Sequence, residues 1–183
     1  MRVSLEGFVL APFLLALFGF CVPKRWKKGG AIFGSLALFF ASFWLKESTS
    51  SFFPIALQVD PLAKLFIWLA SFLQVATVVV CPVSLFPALQ YALLFLVQGF
   101  VFGLFLTDHL LWFFFFWEAI LIPVYLGMAI FGGQEKRKIL YQWILYMAFG
   151  SVALLVALAA VYEQFGSFLI SSWSIEQPVP LWV

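Results

Sequence analysis

One carboxylate stands where a carboxylate is expensive. Glu118 is the only acidic or basic side chain between His109 and Glu135, inside the apolar stretch 110–130. A helix of that length spans about 31 Å, close to the thickness of a bilayer's hydrocarbon core. Glu118 falls near its middle, where an acid costs roughly 2.5–3.5 kcal/mol on insertion scales. Such residues normally face a protein interior or a hydrated path, and they mark sites of ion or proton handling. The alternative is a structural acid that stays protonated or bonds a neighbouring helix.

Pro123 stands five residues further on. Proline lacks an amide hydrogen and clashes with the carbonyl four residues back, here that of Ala119. The turn beside Glu118 is therefore loosened and carries an acceptor that water or another helix must satisfy. Glu118 (proton transfer) and Pro123 (helix loosening) are the two candidate site residues. Helical spacing places Leu111, Phe114, Phe115, Leu121, Ile122 and Tyr125 on the Glu118 face. No cation lies within this stretch, so a charged partner must come from elsewhere. Lys64 is expected to snorkel to the interface. Gln74, Gln98 and Gln142 read as interhelical hydrogen bonders, and His109 as a solvated turn residue.

The elements that must hold these residues follow from composition. The 183 residues are 65% hydrophobic, 21% aromatic and 10% charged, whereas globular chains are about 25% charged. Continuous apolar runs, not alternation, exclude a β-barrel. The fold class is an all-α membrane protein with the lipid bilayer as its first partner. Six transmembrane helices are expected, over 7–23, 30–45, 61–81, 88–106, 110–130 and 139–162. The first reads as an uncleaved span, because its basic cluster (Lys24, Arg25, Lys27, Lys28) follows the apolar run. Gly99 and Gly103 form a G-x-x-x-G step that invites close helix packing. Asp108 and His109 form a tight turn that predicts a hairpin of the fourth and fifth spans.

Loop charges set the orientation. The connections after spans one, three and five carry Lys24, Arg25, Lys27, Lys28, Lys136, Arg137 and Lys138, against Arg2, Lys46 and Lys64 on the other side. The positive-inside rule then places both termini outside a cytoplasmic membrane. The formal charge of +2 resides in short loops and suggests no nucleic acid. Cys21 and Cys81 read as small buried hydrophobes without metal or disulfide spacing. No metal site and no redox cofactor site is expected in this chain. Three segments result: 1–58 with two helices and an outer loop, 59–165 with four helices and the Glu118 motif, and a polar tail over 166–183. The tail ends as a new apolar run begins, which reads as an interrupted protein.

The stretch Phe-Phe-Phe-Trp-Glu-Ala-Ile-Leu-Ile-Pro-Val-Tyr over 114–125 resembles the Trp-Glu-x-x-Leu-Ile/Val-Pro-x-Tyr signature of the antiporter-like membrane subunits of respiratory complex I, in the subunit M (chain 4) branch. Three weaker matches follow the same order along the chain: Val-Asp-Pro-Leu-Ala-Lys-Leu-Phe over 59–66, Phe-Gly-Gly-Gln-Glu-Lys-Arg-Lys over 131–138, and Tyr-Met-Ala-Phe-Gly-Ser-Val-Ala-Leu-Leu over 146–155. Pro61 stands where the family has glycine.

The resemblance implies the N-terminal part of a fourteen-helix subunit, with Glu118 as the membrane glutamate of a proton half-channel coupled to electron transfer. The implied partners are other membrane-arm subunits of complex I, and a second chain carrying the missing C-terminal helices, among them the lysine helix that faces the glutamate. The implied location is a bacterial inner membrane. A subunit of a Mrp-type cation/proton antiporter or membrane-bound hydrogenase would share the motif. A non-pumping truncated fragment is the alternative of a different class.

Overall fold

The computed structural model describes residues 5–45, 49–52, 55–82 and 85–173. Among these residues six α-helices follow one another: α1 (Leu5–Cys21), α2 (Lys27–Phe43), α3 (Pro61–Val80), α4 (Pro87–Leu106), α5 (Leu110–Phe131) and α6 (Lys136–Phe165). The helical class and the six apolar segments agree with the sequence reading, with ends shifted by a few residues. The helices α3, α4, α5 and α6 are long and apolar enough to cross a membrane, whereas α1 is apolar but 17 residues long. The helix that holds the sixth expected span, 139–162, extends beyond it at both ends. α6 begins at Lys136 and runs for 30 residues, about 45 Å, which matches a bilayer including its headgroups. Its basic first turn is anchored, since Lys136 Nζ donates to the Ala129 carbonyl at the C-terminal end of α5 at 2.9 Å.

The described residues of the α2–α3 connection form regular structure that its Ser- and Pro-rich sequence does not suggest. Strands β1 (Thr49–Phe52) and β2 (Ile55–Gln58) pair antiparallel, with Phe52 opposite Ile55. Leu57 of β2 also bridges Thr107 at the α4–α5 turn. Asp60 then starts α3: its Oδ1 accepts from the Ala63 amide at 2.8 Å, and Pro61 occupies the first turn. Proline is tolerated there because that amide would be unpaired in any case.

α4 is the central helix. It packs against α1, α3 and α5, while α2 lies mainly on α3. One core cluster joins Phe8, Leu57, Ile67, Phe102 and Leu106, with Phe8 and Phe102 stacked 4.7 Å apart. A second joins Ala16, Leu38, Val78, Tyr91 and Phe95. Small residues permit the close α2–α3 approach: Ser35, Ser42 and Ser71 are fully buried. The Ser42 carbonyl accepts from Trp68 Nε1 at 3.1 Å.

The G-x-x-x-G step works in two directions. A methyl group on Gly99 would stand 2.7 Å from the Phe13 ring of α1, and one on Gly103 would stand 2.5 Å from the Phe116 ring of α5. The expected α4–α5 hairpin is present, joined through Thr107, Asp108 and His109.

His109 is a helix cap and not merely a solvated turn residue. Its Nδ1 accepts from the Leu111 amide at 3.3 Å, and its ring lies 5.9 Å from that of Phe168.

Beyond α6 the polar tail folds back. Gly166 ends the helix with φ 67°, in the left-handed region that glycine adopts without strain. Phe168 then stacks on Tyr162, and Trp173 on Phe165. Asp108 anchors this return. Its carboxylate accepts from the Ser171 amide at 3.1 Å and from the Ser171 hydroxyl, and its carbonyl accepts from the Ile170 amide at 3.0 Å. Residues 174–183, and with them the apolar run expected at the end of the tail, lie outside the described residues.

Candidate proton-handling site

α5 lifts Glu118 about 12 Å from the helix's N-terminal end, by eight residues of helical rise. The side chain is half-buried and points into the seam between α5 and α6. Its partner there is Ser151 of α6, whose hydroxyl donates to Glu118 Oε1. Ser151 Oγ also stands 3.0 Å from the Met147 carbonyl one turn earlier in its own helix.

The seam is an open groove of about 880 Å³. From α5 it takes Phe115, Leu121, Ile122 and Tyr125 beside Glu118; from α6, Trp143, Met147 and Ser151. Four of the six residues that helical spacing placed on the Glu118 face therefore line it. Leu111 and Phe114 do not. The walls are otherwise apolar, so the carboxyl, the hydroxyl and the Tyr125 phenol are where a proton could rest or pass.

Pro123 lies on the other side of the helix and is the buried residue of α5. It sits outside the groove lining, so the loosening it imposes reaches the site through the Ala119 carbonyl, on the turn next to Glu118. The proline stands just over one turn beyond the acid and on a different face.

The other polar residues singled out from sequence stand apart. Lys64 Nζ lies 5.4 Å above the Trp68 ring, on α3, in keeping with an interfacial cation held by an aromatic face. Lys27 Nζ donates to the Gly19 carbonyl and Lys28 Nζ to the Cys81 carbonyl. These three cations are committed away from the groove. Gln74 and Gln98 are buried, on α3 and α4, yet the Nε2 atoms of both find no hydrogen-bond acceptor among the described residues. They do not form the interhelical hydrogen bonds expected of them. Gln142 is exposed.

Cys81 accepts from Gln90 Nε2 at 2.7 Å, whereas Cys21 is exposed at the end of α1, not buried as expected. Among the described residues no three His, Cys, Asp or Glu side chains stand together in a metal-ligating group.

Ser151 is the site residue that sequence reasoning missed. It lies inside the Tyr-Met-Ala-Phe-Gly-Ser run over 146–151, quoted only for its likeness to other chains. The available signal was spacing: Trp143, Met147 and Ser151 recur every four residues, placing a lone hydroxyl on the face α6 turns toward α5.

Residues 107–176, which contain both Glu118 and Ser151, match the family described as NADH:quinone oxidoreductase/Mrp antiporter, TM. The chain is 33% identical over 129 residues to the NADH-quinone oxidoreductase subunit M of Rickettsia conorii, covering 67% of this chain and 26% of that one. It is 29% identical over 175 residues to the NAD(P)H-quinone oxidoreductase chain 4-3 of a Nostoc species, covering 84% of this chain and 31% of the relative. The chain thus spans between about a quarter and a third of the length of these curated relatives.

Among solved structures, a chain of respiratory complex I from Thermus thermophilus with bound NADH superposes with a TM-score of 0.74 at 25% identity, covering 90% of this chain and 38% of that one. A chain of an archaeal membrane-bound sulfane sulfur reductase shares the fold with a TM-score of 0.68 at 14% identity, covering 90% of this chain and 28% of that one.

Proposed function

We propose, for a chain whose residues 107–176 carry the transmembrane domain of the NADH:quinone oxidoreductase/Mrp antiporter family, that it serves as a membrane-arm subunit of a proton-translocating NADH–quinone oxidoreductase. Its contribution is part of a proton half-channel, with Glu118 as the group that takes up and releases the proton. The observation that carries this reading is Glu118 itself: an acid at mid-depth of α5, turned into a groove and held by a hydroxyl rather than by a cation. A purely structural acid at this depth would be walled in. This one faces open volume that other helices can line.

All six helices cross the membrane in this reading, α1 and α2 included, with both termini outside a bacterial inner membrane. The six correspond to the N-terminal part of the longer relatives, whose remaining length supplies the helices that close the groove. In the family resemblance one of these carries a lysine, which switches the charge of the glutamate. Pro123 loosens the turn that Glu118 shares with Ala119, giving water a carbonyl to bond beside the carboxyl. The chain contributes no redox centre of its own; electron transfer takes place in partner subunits. A subunit of a Mrp-type antiporter is the second reading, because the family's description names the Mrp antiporter beside the oxidoreductase.

The test is proton translocation in membrane vesicles by the assembled complex carrying Glu118→Gln, at matched levels of assembly. Loss of translocation is expected. Near-normal translocation would remove Glu118 from the proton path.

A further inference from the structure

The Ser151 hydroxyl owns one hydrogen and has two acceptors within reach. One is Glu118 Oε1 on α5; the other is the Met147 carbonyl, 3.0 Å away on its own helix. A serine hydroxyl donates once and accepts through two lone pairs, so it cannot serve both acceptors fully at the same time. Which one wins depends on the carboxyl. An ionised carboxylate only accepts, and a hydrogen bond to a charged acceptor is roughly twice as strong as one to a neutral carbonyl. The hydroxyl then donates to Glu118. Once protonated, the carboxyl becomes a donor. Ser151 Oγ can accept that proton's hydrogen bond while turning its own hydrogen to Met147, and no heavy atom has to move.

We infer that Ser151 is a positioning residue for Glu118 in both protonation states, keeping the carboxyl turned toward α6 as its proton comes and goes. The inference rests on reading Glu118 as a proton-exchanging group. The surroundings leave this task to Ser151. Among the described residues the groove is lined by α5 and α6, and the other titratable side chain on it is Tyr125, two helical turns from Glu118 on the same helix. Among those residues no lysine, arginine, histidine or second carboxyl lines it. Without the hydroxyl the carboxyl would lose the side-chain hydrogen bond that turns it toward α6, with the open volume of the groove beside it.

The experiment is infrared difference spectroscopy of the full chain in lipid nanodiscs across a pH titration. The Glu118 carboxyl band is assigned as the one lost in Glu118→Gln. A band that grows as pH falls is expected, at the position of a hydrogen-bonded carbonyl. In Ser151→Ala it should move to higher wavenumber, and Ser151→Thr, which keeps a hydroxyl, should restore it.

Should the alanine variant fold poorly, Ser151→Cys gives the same reading through a weaker donor and acceptor, with a displacement between the other two. A band unmoved by loss of the hydroxyl, or one that does not respond to pH while the chain stays folded, overturns the inference. Failure of the proton-channel reading shows elsewhere: Glu118→Gln would then leave translocation intact in the assembled complex, whatever the spectra of Ser151 variants show.

Discussion

Gly103 of α4 lies against the ring of Phe116 of α5, so close that a methyl group added to it would stand 2.5 Å from the nearest ring carbon. The contact sets the distance between the helix at the centre of the fold and the helix that carries Glu118. Phe116 is two residues from the acid, so its seat on Gly103 also orients the face on which Glu118 projects.

Gly103→Leu should therefore separate α4 from α5. Overpacking of this kind costs about 1–3 kcal/mol, and a leucine adds far more than one methyl group. The yield of folded protein in the membrane should fall and the unfolding midpoint in mixed detergent should drop. Gly99→Leu should act through α1, where Phe13 occupies the equivalent place. Wild-type yield from both variants would count against the close approach.

Orientation can be read with reporter fusions. Reporters at Lys27 and Gln134 should report the cytoplasm, and one at Ser50 in the β1–β2 hairpin the outside. The basic clusters at 24–28 and 136–138 carry this expectation. A cytoplasmic signal from Ser50 would reverse it.

Glu118→Gln keeps the volume and most of the hydrogen-bonding capacity of the side chain but cannot exchange a proton. Ser151 can still donate to the amide oxygen, so thermal stability of the chain should stay within about 0.5 kcal/mol of wild type, as for substitutions that create no cavity or buried charge. Translocation by the assembled complex should fall by roughly a hundredfold or more, the scale on which a positioned proton-transfer group contributes. Stability lost together with activity would instead mark Glu118 as a structural hydrogen bonder.

Asp108→Ala should release the tail. The carboxylate accepts from both the amide and the hydroxyl of Ser171, and bonds to a charged acceptor contribute about 1.5–3 kcal/mol. Limited proteolysis from the outer side should cut the variant after Phe165 much faster than wild type, while α5 and α6 stay protected. An unchanged cleavage rate would show that the ring stacks of Phe168 and Trp173 suffice.

Much of this was legible in the sequence, because in a bilayer the physics is coarse. A run of apolar residues near bilayer length has one solution, so all six helices could be marked from hydropathy. The turn at Asp108 and His109 left α4 and α5 no choice but a hairpin. Glu118 and Pro123 stood out as exceptions to an apolar background. What escaped was polar detail that depends on which faces meet. Ser151 looks like any small residue in α6 until α5 is placed beside it. The glutamines seemed suited to bridging helices, yet rotation of α3 and α4 buries Gln98 without a partner. The pairing of β1 and β2 is built from backbone hydrogen bonds, and the return of the tail joins such bonds to the Asp108 carboxylate and two ring stacks, partnerships between distant residues that local patterning does not announce.

The Asp108 anchor ties two parts of the chain far apart in sequence. The backbone that leaves α6 is fastened, through Ile170 and Ser171, to the residue just before His109, and His109 caps α5. The same short return is also held to α6, because Trp173 stacks on Phe165 at that helix's end. The tail therefore clamps the C-terminal end of α6 to the N-terminal end of α5, about 12 Å from the acid by helical rise. A displacement of either helix end is felt by the other.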